Sequence, residues 1–554
     1  SGVVTGVSKG DAVITASAAG SKAECIVSVG YEGQNPILPP TWGLFIADGE
    51  PHVFDGRMYI FGSRDVTNGF LPNGERDFCS TDYHVIYSDD LIHWTDAGVS
   101  ISIDSIPAEI RGNTRRLWAP DVFKSPTEKD KYYLLFCGNG QPVYIAEGTS
   151  PTGPFGNVRL VTLNGEPIPQ IDPGVLVDDD GKVYYLGTDG GIYLSQLDIA
   201  TGEAIGETHA LWQGTANNPE GPHLYKINGM YYLLLAQGGT ELCHMAVLAR
   251  SKSILGPYEP CPHNPILTNI GKNLPIKAAG HADLVDDADG NWWAVCLGNR
   301  PLAYPFRHNL GRETMLVPAR LENGWFYLGE DRAVLPEFTV EHALVEEIPA
   351  GYAACSAVTD DFRGDSLQLM WNYIYNPVEG LIQQTASGLQ MHGNEVSLWE
   401  DAPKAWLGRR QEHFCCAVEA DLHFIPQQEG EEAGLTVYMN PAHHYEIART
   451  MRDGRDCVIL RRRIGGLCAV EQVLPYSDET MTLRLECDRD RYRFSFRTAD
   501  GTVQPVGSGE TQYLTTEAGG CFTGNYIALY ASGNGKPMTT TATFPRFSYQ
   551  PEAE

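Results

Sequence analysis

At 554 residues the chain is longer than one hydrophobic core usually grows, so two or more domains are expected. A formal net charge of -30 argues against nucleic acid as a partner, since phosphate binding relies on clustered Lys and Arg; the charge serves solubility, and a neutral ligand fits better. No run of about eighteen apolar residues is present to span a membrane, and the thirteen cysteines show no CxxC or zinc-like spacing, which predicts small, free, buried thiols.

In chain order, the first predicted elements are two alternating strands, 6–16 and 23–29, around a Gly-Ser turn. Such a pair buries no core of its own and is assigned to a separate piece, residues 1–30. A block at 31–350 then carries internal repeats, each a turn followed by an apolar, aromatic strand: Asp55-Gly56 before Met58-Tyr59-Ile60-Phe61, Asp130 before Tyr132-Tyr133-Leu134-Leu135, Asp180-Gly181 before Val183-Tyr184-Tyr185-Leu186, Asn228-Gly229 before Tyr231-Tyr232-Leu233-Leu234, and Asp289-Gly290 before Trp292-Trp293-Ala294-Val295. Asp-Gly and Asn-Gly supply the positive φ of tight hairpin turns, and the strands after them suit burial. A spacing of roughly fifty to seventy-five residues fits the blades of a propeller, about four strands each. Similar turns at 87–94, 148–155 and 251–258 repeat as an outer-strand feature.

Beyond Pro349-Ala350-Gly351 the pattern changes to short alternating strands such as 414–422 and 492–496, read as a β-sandwich over 355–554. The expected fold class is all-β: a five-bladed β-propeller followed by a sandwich of the concanavalin-like or jelly-roll type. The Arg461-Arg462-Arg463 run is assigned to an exposed or paired edge of a sandwich strand.

Three acidic motifs head strands of separate repeats: Ala47-Asp48-Gly49-Glu50, Ile171-Asp172-Pro173-Gly174 and Glu220-Gly221-Pro222-His223. Inverting glycosidases need one carboxylate to activate water and one carboxylic acid to protonate the leaving oxygen, and different blades can hold them apart around one axis. A neighbouring carboxylate raises an acid's pKa, so Asp48 is assigned as general base, Glu220 as general acid, and Asp172 as the group that orients Glu220 and raises its pKa. Asp121, after Pro120, is assigned to tying down a turn, and the Asp178-Asp179-Asp180 and Asp286-Asp287 clusters to solvated turns rather than calcium loops.

These motifs, with Leu117-Trp118-Ala119-Pro120-Asp121, Gly280-His281-Ala282-Asp283 and Leu310-Gly311-Arg312-Glu313, resemble glycoside hydrolase family 43, a family of inverting five-bladed propeller enzymes. The likeness is closest to its beta-xylosidase and alpha-L-arabinofuranosidase branch, and the segments 408–414 and 431–437 resemble the sandwich attached to such enzymes. Asp48 is followed by Gly49 where many members have proline, which makes Glu50 a rival base. The resemblance implies that Arg312 binds sugar hydroxyls, with structural pairing to Glu313 or another carboxylate as the alternative, that Trp118 walls the sugar ring, and that Phe522, from the stretch 515–524, closes the pocket. It also implies that His281 lies near the axis, holding calcium or another divalent ion largely through water.

The implied function is exo-acting release of xylose or arabinose from the non-reducing ends of xylan-derived oligosaccharides. Alternatives are a catalytically silent carbohydrate-binding propeller, an endo-acting arabinanase-like hydrolase, or a retaining glycosidase on the same fold. Residues 1–30 resemble the last hairpin of a bacterial immunoglobulin-like domain of group 2, which leads to the expectation of a longer exported or cell-surface protein, with a cytoplasmic one as the alternative.

Overall fold

The aromatic run after each turn forms the second strand of an antiparallel sheet, and the acidic or histidine-bearing segment before it forms the innermost strand. In the computed structural model this pattern occurs five times in succession. The structure describes residues 10–18, 21–38, 46–70, 76–112, 114, 116–138, 142–287, 289–340, 357–374, 378–520 and 522–552. The innermost strands are Ala47–Phe54, Leu117–Lys124, Ile171–Val177, Glu220–Ile227 and Lys277–Asp286, heading blades 1 to 5. Each touches the next, and the fifth returns to the first, so the sheets close into a ring around a central axis. Blades 1, 2, 4 and 5 have four strands each, and blade 3 carries two short extra strands at its outer edge.

Local sequence explains the hairpins. Asp55-Gly56 and Asn228-Gly229 both take positive φ at both positions, the geometry whose twist matches the flanking strands. At Asp180-Gly181 and Asp289-Gly290 only the glycine is left-handed, and a slightly longer loop results. Strand alternation then sends one side chain to each neighbouring blade, so the propeller has no single core. It has a cluster at each junction: Phe61, Val85, Leu134 and Phe136 between blades 1 and 2, and Met58, Ile60, Trp94, Val295 and Leu316 between blades 1 and 5. Full burial of one such aliphatic or aromatic side chain contributes about 1.5–3 kcal/mol, so the ring is held by many moderate contributions. Its ends are joined by pairing of Tyr31–Gln34 with Glu337–Val340, beside which the buried Asn35 side chain bonds Leu316 and Leu335.

The C-terminal region is a sandwich of an eight-stranded and a six-stranded antiparallel sheet, with Leu407, Leu435, Ile447, Leu485, Phe494 and Phe547 among the residues packed between them. The boundary expected near Pro349–Gly351 lies outside the described residues. Arg461 and Arg462 are paired, as the sequence reading allowed, but their strand, Arg455–Ile464, is not an edge; Leu467–Pro475 lies outside it. Arg461 is buried against Glu432 and Glu446, and Arg462 pairs with Glu510 and Glu471. The strands Gly10–Ala18 and Ser21–Val29 pair as a two-stranded antiparallel sheet. No helix among the described residues is long and apolar enough to cross a membrane.

Candidate active site

One backbone irregularity, repeated in every blade, builds the site. In each innermost strand the register slips across a left-handed residue, near the start in blades 1 to 4 and midway along in blade 5: Asp48 (φ 48°), Ala119 (φ 40°), Asp172 (φ 50°), Gly221 (φ 53°) and His281 (φ 47°), with a second such residue, Ala278 (φ 50°), at the start of the blade 5 strand. Such a bulge breaks the ladder and re-aims a side chain. A positive φ is sterically unfavourable for residues other than glycine, although Asp tolerates it better than most. Asp48, Asp172 and His281 thus occupy one repeat position in blades 1, 3 and 5, while Glu220 stands one place earlier, immediately before Gly221 in blade 4.

Together they line a cavity of about 400 Å³, whose other walls include Trp118, Ile171, Asn218, Thr240, Glu241, His244, Arg312 and Phe522. That volume is in the range of small-ligand sites. Every residue singled out from the sequence for catalysis or sugar contact, the rival base Glu50 excepted, therefore reaches one cavity, as does His281. Arg312 comes from the connection between the second and third strands of blade 5. Its neighbour Glu313 is engaged by Arg300 at 2.9 and 2.7 Å, and Arg312 Nη1 instead donates to Asp48 Oδ1 at 3.2 Å. Phe522 enters from the sandwich: its carbonyl accepts from Arg312 N at 2.9 Å, and its ring centroid lies 5.3 Å from the Arg312 guanidinium. Trp118 is half-buried, partly packed against the blade 2–3 core and partly on the cavity wall.

The electrostatics separate the acids. Burial alone would raise the Asp48 carboxyl, but the neighbouring Arg312, foremost, and His281 outweigh it and hold the group below the usual carboxylate range. Burial, reinforced by the charge of Asp172, pushes Glu220 up to about 7. Asp172 is raised as well, by burial and by the charge of Asp48, while Gly221 N donates to its Oδ2 at 3.1 Å and ties it beside Glu220. Glu50, the rival base, does not reach the cavity wall; it is 2% exposed, and burial together with Asp283 and Asp121 raises it well above the usual range.

Glu50 belongs to a second tier beneath the cavity, formed two residues after each left-handed position, where Asp121, His223 and Asp283 are also buried. Asp121 corrects its assignment to a turn: Oδ2 accepts Val175 N of blade 3 at 2.7 Å, and Oδ1 lies 3.0 Å from His52 Nε2 of blade 1, so it ties three blades. Asp178 likewise links blades, accepting from Lys226 and Tyr231. Ligand atoms of Glu50, His223 and His281 lie within 4.8 Å of one another, and Glu50 Oε2, His223 Nε2 and His281 Nε2 are buried with no protein hydrogen bond. This donor set fits a divalent cation, whose remaining positions would fall to water. Two imidazoles make it softer than the all-oxygen shell calcium prefers.

Sequence reasoning missed His244, Thr240, Glu241 and Asn218. His244 Nδ1 donates to Ala278 O at 3.1 Å, and burial with the neighbouring charge of His281 pushes its ring down to about 3. The available signal was positional: His244, Thr240 and Glu241 follow Gly238-Gly239, in the connection of blade 4 that corresponds to the Arg312 connection of blade 5.

The comparisons with known proteins agree with this geometry. The profile described as glycosyl hydrolases family 43 matches residues 51–326, and a beta xylosidase C-terminal concanavalin A-like domain matches 359–550. A non-reducing end alpha-L-arabinofuranosidase, BoGH43B of Bacteroides ovatus, is 33% identical over 84% of this chain and 88% of its own. The chain belongs to glycosyl hydrolase family 43. Within that family, a xylosidase/arabinosidase of Butyrivibrio fibrisolvens is 28% identical over 89% of this chain and 99% of its own. The crystal structure of the family 43 protein BlXynB from Bacillus licheniformis superposes with a TM-score of 0.79 at 26% identity, covering 94% of this chain and all of that one. The family 43 propeller is thus followed by its concanavalin-like sandwich, and the chain is a glycoside hydrolase.

Proposed function

We propose that this family 43 enzyme releases single xylose or arabinose units from the non-reducing ends of xylan-derived oligosaccharides, with inversion at the anomeric carbon. The observation that carries the reading is the opposite displacement of two carboxyls in one cavity, Asp48 held ionised and Glu220 pushed up to about 7. Asp48 accepts a proton from water as the water oxygen bonds to the anomeric carbon. Glu220 donates its proton to the glycosidic oxygen as the old bond breaks. Burial, with the charge of Asp172, keeps Glu220 protonated up to about neutral pH. Arg312 bonds sugar hydroxyls and fixes Asp48, while Trp118 and Phe522 present apolar faces to the ring. The arabinofuranosidase and xylosidase/arabinosidase activities named for its relatives support this choice of substrate.

A divalent cation, calcium or another, held by His281 with Glu50 and His223 would supply fixed positive charge beneath the carboxylates. Every proton-transfer step is carried by the side chains named above.

The test is turnover of nitrophenyl xyloside, nitrophenyl arabinofuranoside and xylobiose by the parent, Asp48→Asn and Glu220→Gln proteins, with the anomer of the released sugar followed by NMR. Loss of about a hundredfold or more in each variant is expected. Glu220→Gln should lose more on xylobiose than on the nitrophenyl sugar, whose leaving group needs little protonation. Binding without turnover by the parent, or a first-formed sugar of retained configuration, would overturn the reading.

A further inference from the structure

We propose that Tyr492, a residue of the sandwich core, is a positioning residue for the sugar site, its hydroxyl setting where Arg312 and Phe522 stand. The inference rests on the reading above, in which those two side chains contact the sugar.

Two backbone segments meet at the cavity, 309–312 of the propeller and 522–525 of the sandwich. Arg312 N donates to Phe522 O at 2.9 Å, and Asn525 N donates to Asn309 O at 2.8 Å, a short antiparallel ladder across the domain boundary. Gly311 and Gly524 lie between these bonds with φ of +79° and +76°. A Cβ on Gly311 would stand 2.4 Å from the Thr523 carbonyl carbon, and one on Gly524 2.3 Å from that of Leu310. The backbones are in direct contact, so a shift at one end of the ladder carries through to the other.

One end of the ladder is Arg312 with Phe522; the other is Asn309 with Asn525. Both asparagine amides donate to the Tyr492 hydroxyl, at 3.0 and 2.8 Å, and that hydroxyl donates to Gln411 Oε1 at 2.8 Å. The phenol oxygen has one proton and two lone pairs, and all are used. Gln411 N closes the circuit on Asn525 O at 2.9 Å, and Arg410 Nη2 adds a bond to Leu310 O at 2.6 Å. Tyr492, Asn309, Asn525 and Gln411 are all fully buried. The Tyr492 ring is packed in the sandwich core beside Tyr445, so the oxygen is held by that core while serving a segment of the other domain. A hydroxyl that joins both strands of the ladder is placed to determine its register against the core.

Tyr492→Phe in the full chain keeps the ring and removes this junction. Expected is a fall of roughly tenfold or more in kcat/KM on a nitrophenyl pentoside, carried mainly by KM, because displaced binding groups weaken sugar contact more than proton transfer. In an Arg312→Lys background the same substitution should cost less than about twofold, since both changes act on one interaction. A lowered melting temperature with kcat and KM within about twofold of the parent, or losses that multiply in the double variant, would assign Tyr492 to stability alone. Should Tyr492→Phe fail to fold, Asn309→Ala removes the amide from the propeller side and leaves the sandwich core intact. The same rise in KM is expected, and an unchanged KM overturns the proposal. A parent that turns over neither pentoside would instead refute the functional reading; calorimetric binding of xylose and arabinose to parent and variant then applies the same criterion to the positioning role.

Discussion

Asp48 and Glu50 are two residues apart on one strand, yet their environments oppose each other. Arg312 and His281 face Asp48, whereas Asp283 and Asp121 face Glu50. A base must be ionised at working pH, so the neighbours separate the two where strand position does not. The basic limb of the pH profile is equally local. Glu220 must be protonated to act, so kcat/KM should fall as pH rises through about 7, and the pH profile of the parent checks this. Replacing Asp172 by Asn removes a negative charge that helps raise Glu220, so the basic limb should move to lower pH along with any loss of rate. A limb that stays in place would remove Asp172 from the role of setting the acid. Chelation gives a separate outcome at His281: metal analysis of the purified chain should find a divalent ion, and its removal should lower the melting temperature.

At the scale of elements, the left-handed residue in every innermost strand turns a repeat of structure into a site. It is a costly conformation for Asp48, Asp172 and His281, and such strain persists only where the surroundings over-determine it. Blade junctions provide that constraint through buried ties such as Asp121. Asp121→Ala leaves the Val175 N–H without its acceptor, and urea unfolding should show a loss of about 1–3 kcal/mol. The Phe522 segment is the other decisive element. Phe522→Ala removes the ring beside the Arg312 guanidinium and should raise KM on both pentosides more than it lowers kcat, whereas a fall confined to kcat would argue against a binding role.

For the whole molecule, propeller and sandwich share one active site. His308 bonds Glu517 through its backbone and its ring, Arg300 reaches Glu412 O, and Arg410 reaches Leu310 O, so the connection that carries Arg312 is held from both domains. A chain ending before residue 355 lacks Phe522 and all of these partners, and turnover of a nitrophenyl pentoside should drop below detection rather than weaken mildly. Activity near that of the full chain would show that the sandwich is dispensable. Calorimetry of the full chain should show one main transition, because neither domain can separate without exposing the buried Asn309, Asn525 and Arg410 network.

The repeat was legible in the sequence alone. Turn glycines, aromatic strands and acids recurring at blade spacing are local properties, set by φ preference and side-chain alternation, and they marked out Asp48, Asp172 and Glu220 as heads of separate blades. It did not reveal that Arg312 would face Asp48 rather than its neighbour Glu313, that Asp121 would tie blades rather than a turn, or that His244 would enter the cavity. Those outcomes depend on which blades meet around the axis. Partner choice and pKa arise from charges far apart in the chain, which meet when the ring closes and the sandwich docks.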